Sequence, residues 1–277
     1  MQGDGSGLLA GKRIVVTGVL TEASIAAHVA TVAREQGAEL ILTTPPRVRR
    51  ITERTARHLD LGAPVVDLDV TDGSAVSALG DEWQASGLRI DGLVHAVAFA
   101  PPACIGGSFS DAAWDDVAIA LHISSYSLAA LGHAVAPVMP PGAGIVALDF
   151  DATKAWPMYN WMGVAKAALA STAQYLAAEL GPRGLRVNLV ASGPLRTLAA
   201  SAIGDFDRLE REWASRAPLG WDVREPEPTA RAVVALLSDW FPATTAERVH
   251  VDGGYHGTWA SAPDEEQPYA ATARGAA

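Results

Sequence analysis

The chain has 277 residues, 49% of them hydrophobic and 19% charged, enough apolar material for one sizeable core. Its net charge of −10 argues against a nucleic-acid partner. A single cysteine, Cys104, forbids an intramolecular disulfide, no signal-like or membrane-length apolar run appears, and a soluble cytoplasmic protein with no membrane partner is expected.

Residues 1–7 and 261–277 read as small, polar, flexible tails, and residues 8–260 as one domain. Within it, Arg13–Gly18 reads as a strand. Ile25, Val29 and Val32 recur at helical spacing up to Gly37. Glu39–Thr43 is a second strand and Arg47–His58 a basic helix. Pro64–Val70 holds a short strand, Ser74–Ser86 a helix, and Gly92–His95 a fourth strand. Two helical stretches lie between Ser110 and Met139, followed by a fifth strand at Gly144–Phe150. Leu169, Ala173, Leu176 and Leu180 mark one face of a long helix stopped by Pro182 and Gly184. A sixth strand at Arg186–Val190, a helix at Glu227–Trp240 and a seventh strand at Arg248–Val251 complete the pattern. Strand and helix in alternation predict an α/β fold: a doubly wound, Rossmann-type, seven-stranded parallel sheet with helices on both faces. Ligands of such sheets bind at the carboxyl ends of the strands.

Those ends carry the candidate residues. The first strand runs into Gly18 and then, by way of Leu20, to Ser24 and Ile25 at a helix start, where backbone N–H groups and the helix dipole favour a phosphate. One glycine is a weaker signal than G-x-G-x-x-G, and Ser24 serves equally as a helix cap. After the third strand come Asp69, able to accept from an adenine amine or to cap the next helix, and Val70. After the fourth come the small Ala96, Val97 and Ala98. The second strand ends in Thr44-Pro45-Pro46-Arg47, with Arg49 and Arg50 beyond. No acid stands there for ribose hydroxyls, and the arginines suit either a 2′-phosphate or solvent, so charge alone leaves NADH and NADPH both open.

After the fifth strand, Tyr159 and Lys166 stand seven positions apart, about two helical turns. On one helix face a phenol beside an ammonium can donate to a carbonyl oxygen as it gains charge, and the ammonium can hold ribose hydroxyls.

The blocks TGVLTEASIA (17–26), LDVTD (68–72), VHAVAF (94–99), HISSYS (122–127), LDFDATKAWPMYNWMGVAKAAL (148–169), NLVASGPLRTLAASAI (188–203), RAPLGW (216–221), LLSDWFPATT (236–245) and DGG (252–254) closely resemble the NADH-dependent enoyl-acyl-carrier-protein reductases of the short-chain dehydrogenase/reductase superfamily, over nearly all of residues 8–256. The resemblance implies reduction of the trans-2 double bond of an enoyl thioester, on acyl-carrier protein or coenzyme A, by hydride from NADH in fatty-acid biosynthesis. Tyr159 would stabilise the enolate, Lys166 would hold the nicotinamide ribose, and Phe150 would line the hydride path. Implied cofactor contacts are Gly18, Leu20, Ser24, Ile25, Asp69, Val70, Ala96, Val97, Ala98, Lys166, Pro194, Leu195 and Thr197. Implied substrate contacts are Phe150, Met158, Tyr159, Ala199, Ile203 and Phe206, under a lid at about residues 197–216 whose apolar face is Ile203, Phe206 and Leu209. A homotetramer packed through helices 122–139 and 163–180 is also implied, although burial within one chain accounts for their apolar faces equally well. The sequence departs from the family pattern at Ala96 and Ala98, at Pro45 in place of an aromatic over the adenine, and in a lid shorter than that of the relatives it most resembles.

Three other readings compete. A short-chain dehydrogenase acting on a ketone would use Tyr-x-x-x-Lys and a serine after the fifth strand, whereas Met162 stands four before Lys166 and residues 144–152 contain no serine. The second is reduction of an intermediate of a specialised pathway, and the third a non-catalytic dinucleotide-binding protein. No metal site is expected, because the seven histidines are scattered and none has ligand spacing with Cys104. His122 is read as structural, and Trp156, Trp161, Trp240 and Trp259 as core or interface.

Overall fold

A computed structural model describes residues 7–156, 158–200 and 203–258. Seven parallel strands form one sheet in the order β3-β2-β1-β4-β5-β6-β7. They are β1 (Arg13–Thr17), β2 (Glu39–Thr44), β3 (Val65–Asp67), β4 (Gly92–His95), β5 (Gly144–Asp149), β6 (Arg186–Ser192) and β7 (Arg248–Val251). The helices are α1 (Ile25–Glu35), α2 (Arg49–His58), α3 (Gly73–Ala85), α4 (Trp114–Leu121), α5 (Ser127–Val135), α6 (Asn160–Leu180), α7 (Phe206–Arg216) and α8 (Glu227–Leu237).

Alternate residues of the central strands feed two separate cores. Val15, Leu93, Ile145, Val187 and Leu189 pack against Leu128 and Leu131 of α5 and Leu169 and Leu176 of α6. Ile14, Val16, Val94, Val146 and Val190 point the other way, onto Val29 and Ala30 of α1 and Val233, Val234 and Leu237 of α8. Burial on both faces explains the nearly unbroken apolar runs of the strands. Each fully buried Leu, Ile or Val contributes about 1.5–3 kcal/mol before conformational entropy is counted.

Several boundaries differ from the sequence reading. A 3₁₀ turn, Pro46–Val48, precedes α2, because proline at a first helical position suits a tight turn. β6 runs on to Ser192, where Ser192 and Thr229 share a buried 2.9 Å hydrogen bond. α8 stops at Leu237, where the Ser238 hydroxyl donates to the Ala235 carbonyl at 2.6 Å. The two helical stretches between 110 and 139 join through a π-type turn, His122–Tyr126. The combined run Trp114–Val138 has the length and mean hydropathy (1.3) of a membrane span, although Asp115, Asp116, Gly132 and Pro137 interrupt it. In this fold α4 and α5 pack on α6, and α5 also on α3, as core helices do.

Candidate active site

Four loops leave the carboxyl edge of the sheet side by side, following β1, β4, β5 and β6. The first is the β1–α1 turn. Gly18 has φ +82°, and a Cβ there would overlap the Ala96 carbonyl, so glycine is demanded by the fold itself before any ligand is considered. The Ser24 hydroxyl caps α1 by accepting from the Ala27 amide at 3.2 Å and donates to the Thr21 carbonyl at 2.7 Å. The amides of Ile25 and Ala26 have no partner among the described residues, which leaves donors at a helix start suited to a pyrophosphate. Leu20 lends its carbonyl to the Thr55 hydroxyl at 2.9 Å, fixing the turn to α2.

Asp69 does not cap α3. That cap is Asp72, which accepts from the Ser74 and Ala75 amides, each at 3.0 Å. Asp69 instead folds onto Thr71, through its amide at 3.0 Å and its hydroxyl at 2.7 Å, and pairs with Arg47 at 2.9 Å. The Thr71 hydrogen bonds, and after them Arg47, hold the carboxyl of Asp69 below the ordinary range. Arg49 is likewise occupied, by Glu53 at 2.8 Å and Asp67 at 3.0 Å. Two of the three arginines that the sequence offers for a 2′-phosphate, Arg47 and Arg49, are therefore paired with local carboxylates.

The β4 end is held by polar residues to which the sequence reading gave no role. The Thr17 hydroxyl donates to the Val94 carbonyl at 3.0 Å and accepts from the Ala96 amide at 2.8 Å. The Ser124 hydroxyl, from the π-type turn, accepts from the Phe99 amide at 3.0 Å and donates to its carbonyl at 2.9 Å. Ala96, Val97 and Ala98 lie between these two clamps. Ser127 donates to the Ile123 carbonyl at 2.7 Å, so the 2.7 Å contact from His95 Nε2 requires that nitrogen to carry the proton. His95 Nδ1 is left buried and unpartnered. Burial, reinforced by the charge of Lys166, lowers the His95 pKa to about 3 and keeps it neutral. The HISSYS block was the available signal for Ser124 and Ser127.

The chemistry concentrates after β5. Tyr159 sits immediately before α6 and Lys166 within it. Asn160, at φ +39°, follows Tyr159 and donates to the carbonyls of Gly106 and Gly107, tying the start of α6 to that loop. Lys166 is buried and donates to the Leu148 carbonyl at 2.8 Å. Asp149 pairs with Arg248 at 3.0 Å through one oxygen, while its other oxygen is buried without a partner. Burial pushes the Asp149 carboxyl up against the opposing pull of Lys166 and Arg248, and burial pushes the Lys166 ammonium down against the pull of Asp149. Burial, then the charge of Asp149, raises the phenol of Tyr159, so it stays protonated as a donor.

Phe150 lies against Tyr159, ring centroids 4.9 Å apart. Met158, Ile203 and Phe206 gather with Phe150 around Leu209 and Trp213 of α7. Ala199 stays exposed, outside that cluster. Pro194 and Leu195 are buried, and the Pro194 carbonyl accepts from Trp221 at 2.8 Å. Thr197 accepts from the Ala200 amide at 3.2 Å. Between Leu195 and Thr197, Arg196 reaches Asp207 and Glu210 of α7, with its guanidinium 5.0 Å from the Phe206 ring. Among the tryptophans, Trp156 and Trp161 are half-buried and Trp240 is exposed, while Trp259 lies outside the described residues. Among the described residues no cluster of histidine, cysteine or carboxylate has the geometry of a metal site.

The sequence profile of the Enoyl-(Acyl carrier protein) reductase family matches residues 18–256. A Mycolicibacterium smegmatis protein named enoyl-[acyl-carrier-protein] reductase [NADH] is 49% identical over 263 residues, spanning 90% of this chain and 97% of its own. The protein of that name from Mycobacterium avium is 45% identical over 90% of this chain and 97% of its own. An enoyl-[acyl-carrier-protein] reductase [NADH] from Rhizobium meliloti is 39% identical over 91% and 92%.

Proposed function

The chain belongs to the enoyl-(acyl carrier protein) reductase family, and on that premise we propose that it reduces the trans-2 double bond of an enoyl thioester, carried on acyl-carrier protein, in fatty-acid biosynthesis. The observation that carries this reading is that Phe150, Tyr159 and Lys166 all follow β5, with Phe150 packed on Tyr159 and the Lys166 ammonium on the Leu148 carbonyl. NADH, when bound, supplies the hydride. The residues present suit it: unpaired amides at the start of α1, small side chains after β4, and arginines already engaged where a 2′-phosphate would need them.

Tyr159, kept protonated, donates to the thioester carbonyl and stabilises the enolate as negative charge reaches that oxygen. Lys166 turns from the Leu148 carbonyl toward the ribose hydroxyls and fixes the cofactor's depth. Asp149 stabilises that ammonium in its buried position. Phe150 and Met158 wall the reacting atoms from water, and α7 closes over the acyl chain with Ile203, Phe206 and Leu209. The backbone from Pro194 to Thr197 covers the pyrophosphate side. A homotetramer is part of this reading. Tyr126 (63% exposed), just before α5, and Val164 and Tyr175 (77% exposed) of α6 leave an apolar face for a second copy.

The test is NADH oxidation, followed by nicotinamide absorbance, with crotonyl-CoA and with an enoyl thioester of acyl-carrier protein. Consumption is expected with both, and faster on the carrier protein. Activity on a ketone with none on either thioester would overturn the assignment. Light scattering of the purified protein tests the tetramer, which a monomer would refute.

A further inference from the structure

An unbroken aromatic series leads away from Tyr159. Phe150 lies 4.9 Å from Tyr159 between ring centroids, Trp156 lies 5.6 Å from Phe150, and Trp213 lies 5.8 Å from Phe150. Trp156 and Trp213 are 5.2 Å apart, and Trp213 stacks on Tyr255 at 3.9 Å with planes 10° from parallel. Trp213 and Tyr255 are buried, and Arg216 locks Tyr255 by donating to its hydroxyl at 2.7 Å. Beyond the series lies a cleft of about 240 Å³, with Trp156, Met158, Leu209 and Tyr255 as its apolar lining and Lys154 and Arg208 at its rim. Neither Tyr159 nor Phe150 lines that cleft. Trp156 touches Phe150 on one side and the cleft on the other, between Met158 and Leu209, which also line both spaces.

Resting on the enoyl-reductase reading, we propose that Trp156 is a specificity-determining stop. It ends the acyl chamber one ring beyond Phe150 and confines the enzyme to short enoyl thioesters. An acyl chain whose thioester sits at Tyr159 and which passes Phe150 meets the edge of the Trp156–Trp213 pair. The Trp156 indole is fixed there by donating from Nε1 to the Asp151 carbonyl at 3.0 Å, so rotating it away breaks a hydrogen bond. Trp213 cannot retreat, because its Nε1 edge already lies 2.8 Å from where a Cβ on Gly193 would stand and its face is covered by Tyr255. Trp156 is only half-buried, and shortening it would open the chamber into the cleft without emptying the buried stack. Each further methylene that then gains cover from water adds about fourfold to kcat/KM.

The experiment measures kcat/KM for crotonyl-, octenoyl- and dodecenoyl-CoA with the wild-type chain, Trp156→Ala and Trp156→Leu. The expected result is a wild-type kcat/KM that falls from octenoyl- to dodecenoyl-CoA. In Trp156→Ala the dodecenoyl-to-crotonyl ratio should rise at least tenfold, with a smaller rise in Trp156→Leu, whose bulk preserves more packing. A wild-type enzyme that reduces dodecenoyl-CoA as well as octenoyl-CoA overturns the stop whether or not the variants fold, as does an unchanged ratio in folded variants. Absence of turnover with every thioester instead overturns the reaction on which the stop rests.

Discussion

Lys166 gives its ammonium to the carbonyl of Leu148 at 2.8 Å, the residue just before the buried carboxylate that stabilises its charge. The bond satisfies a buried cation and keeps it beside the place where ribose hydroxyls would arrive. Replacing Lys166 with Met should raise the Kd for NADH by about tenfold or more, as loss of a charge-assisted hydrogen bond does. Fluorescence titration of the bound nucleotide measures it, and an unchanged Kd would remove Lys166 from the cofactor site.

Tyr159 has the opposite signature. Its ring rests on Phe150 whether or not the hydroxyl is present, so Tyr159→Phe should fold and bind NADH as the wild type does. Turnover should drop by about 100-fold, the scale seen when one donor to a developing oxyanion is removed. Steady-state kinetics beside the same titration separate the two effects. A parallel loss of NADH binding would mean that the phenol acts on the cofactor.

The arginines after β2 make cofactor choice testable. Arg47 is held by Asp69 and Arg49 by Asp67 and Glu53. Wild-type protein should prefer NADH. The triple variant Glu53→Gln/Asp67→Asn/Asp69→Asn removes the carboxylates that hold both guanidinium groups and should narrow the NADH:NADPH ratio of kcat/KM by about tenfold. A ratio that stays fixed would show that neither arginine faces the 2′ position.

His95 sets an acid limit on the fold. Its imidazole takes a proton near pH 6.5 when unfolded and only near pH 3 in the fold. Between those values the unfolded chain holds more protons. The stability that His95 contributes is therefore complete above pH 6.5 and drains as pH falls toward 3, by at most about 1.4 kcal/mol per unit. Urea midpoints should fall across that window, and His95→Gln, which keeps a donor for Ser127, should flatten the slope. An equally steep slope in the variant would assign the acid sensitivity to other groups.

Gly18→Ala tests the turn from the side of the fold. A left-handed φ and an added methyl against the Ala96 carbonyl should cost about 1–3 kcal/mol. A thermal melt reads the loss, and an unchanged melting temperature would show that the turn can relax.

What the sequence made legible was mostly local. An apolar run, Gly18 and a capping serine lie within a dozen positions, and each reports on the next. The Tyr159–Lys166 spacing is legible for the same reason. Choices that depend on neighbours in the sheet were hidden. Asp69 and Asp72 are equivalent as caps on paper, and only the adjacency of β2 and β3 brings Arg47 across to claim the first. The π-type turn at His122–Tyr126 is invisible because it lies inside one helical run and nothing in HISSY marks the change of winding. The aromatic series could not be assembled from spacing, since Trp156, Trp213 and Tyr255 come from three separate elements.

Arg196 joins the loop after β6 to the start of α7. It stands in the loop that leaves β6, yet its guanidinium grips the opening of α7 through Asp207 and Glu210. A displacement of that helix therefore pulls on the loop, and the two can part only when both ion pairs break.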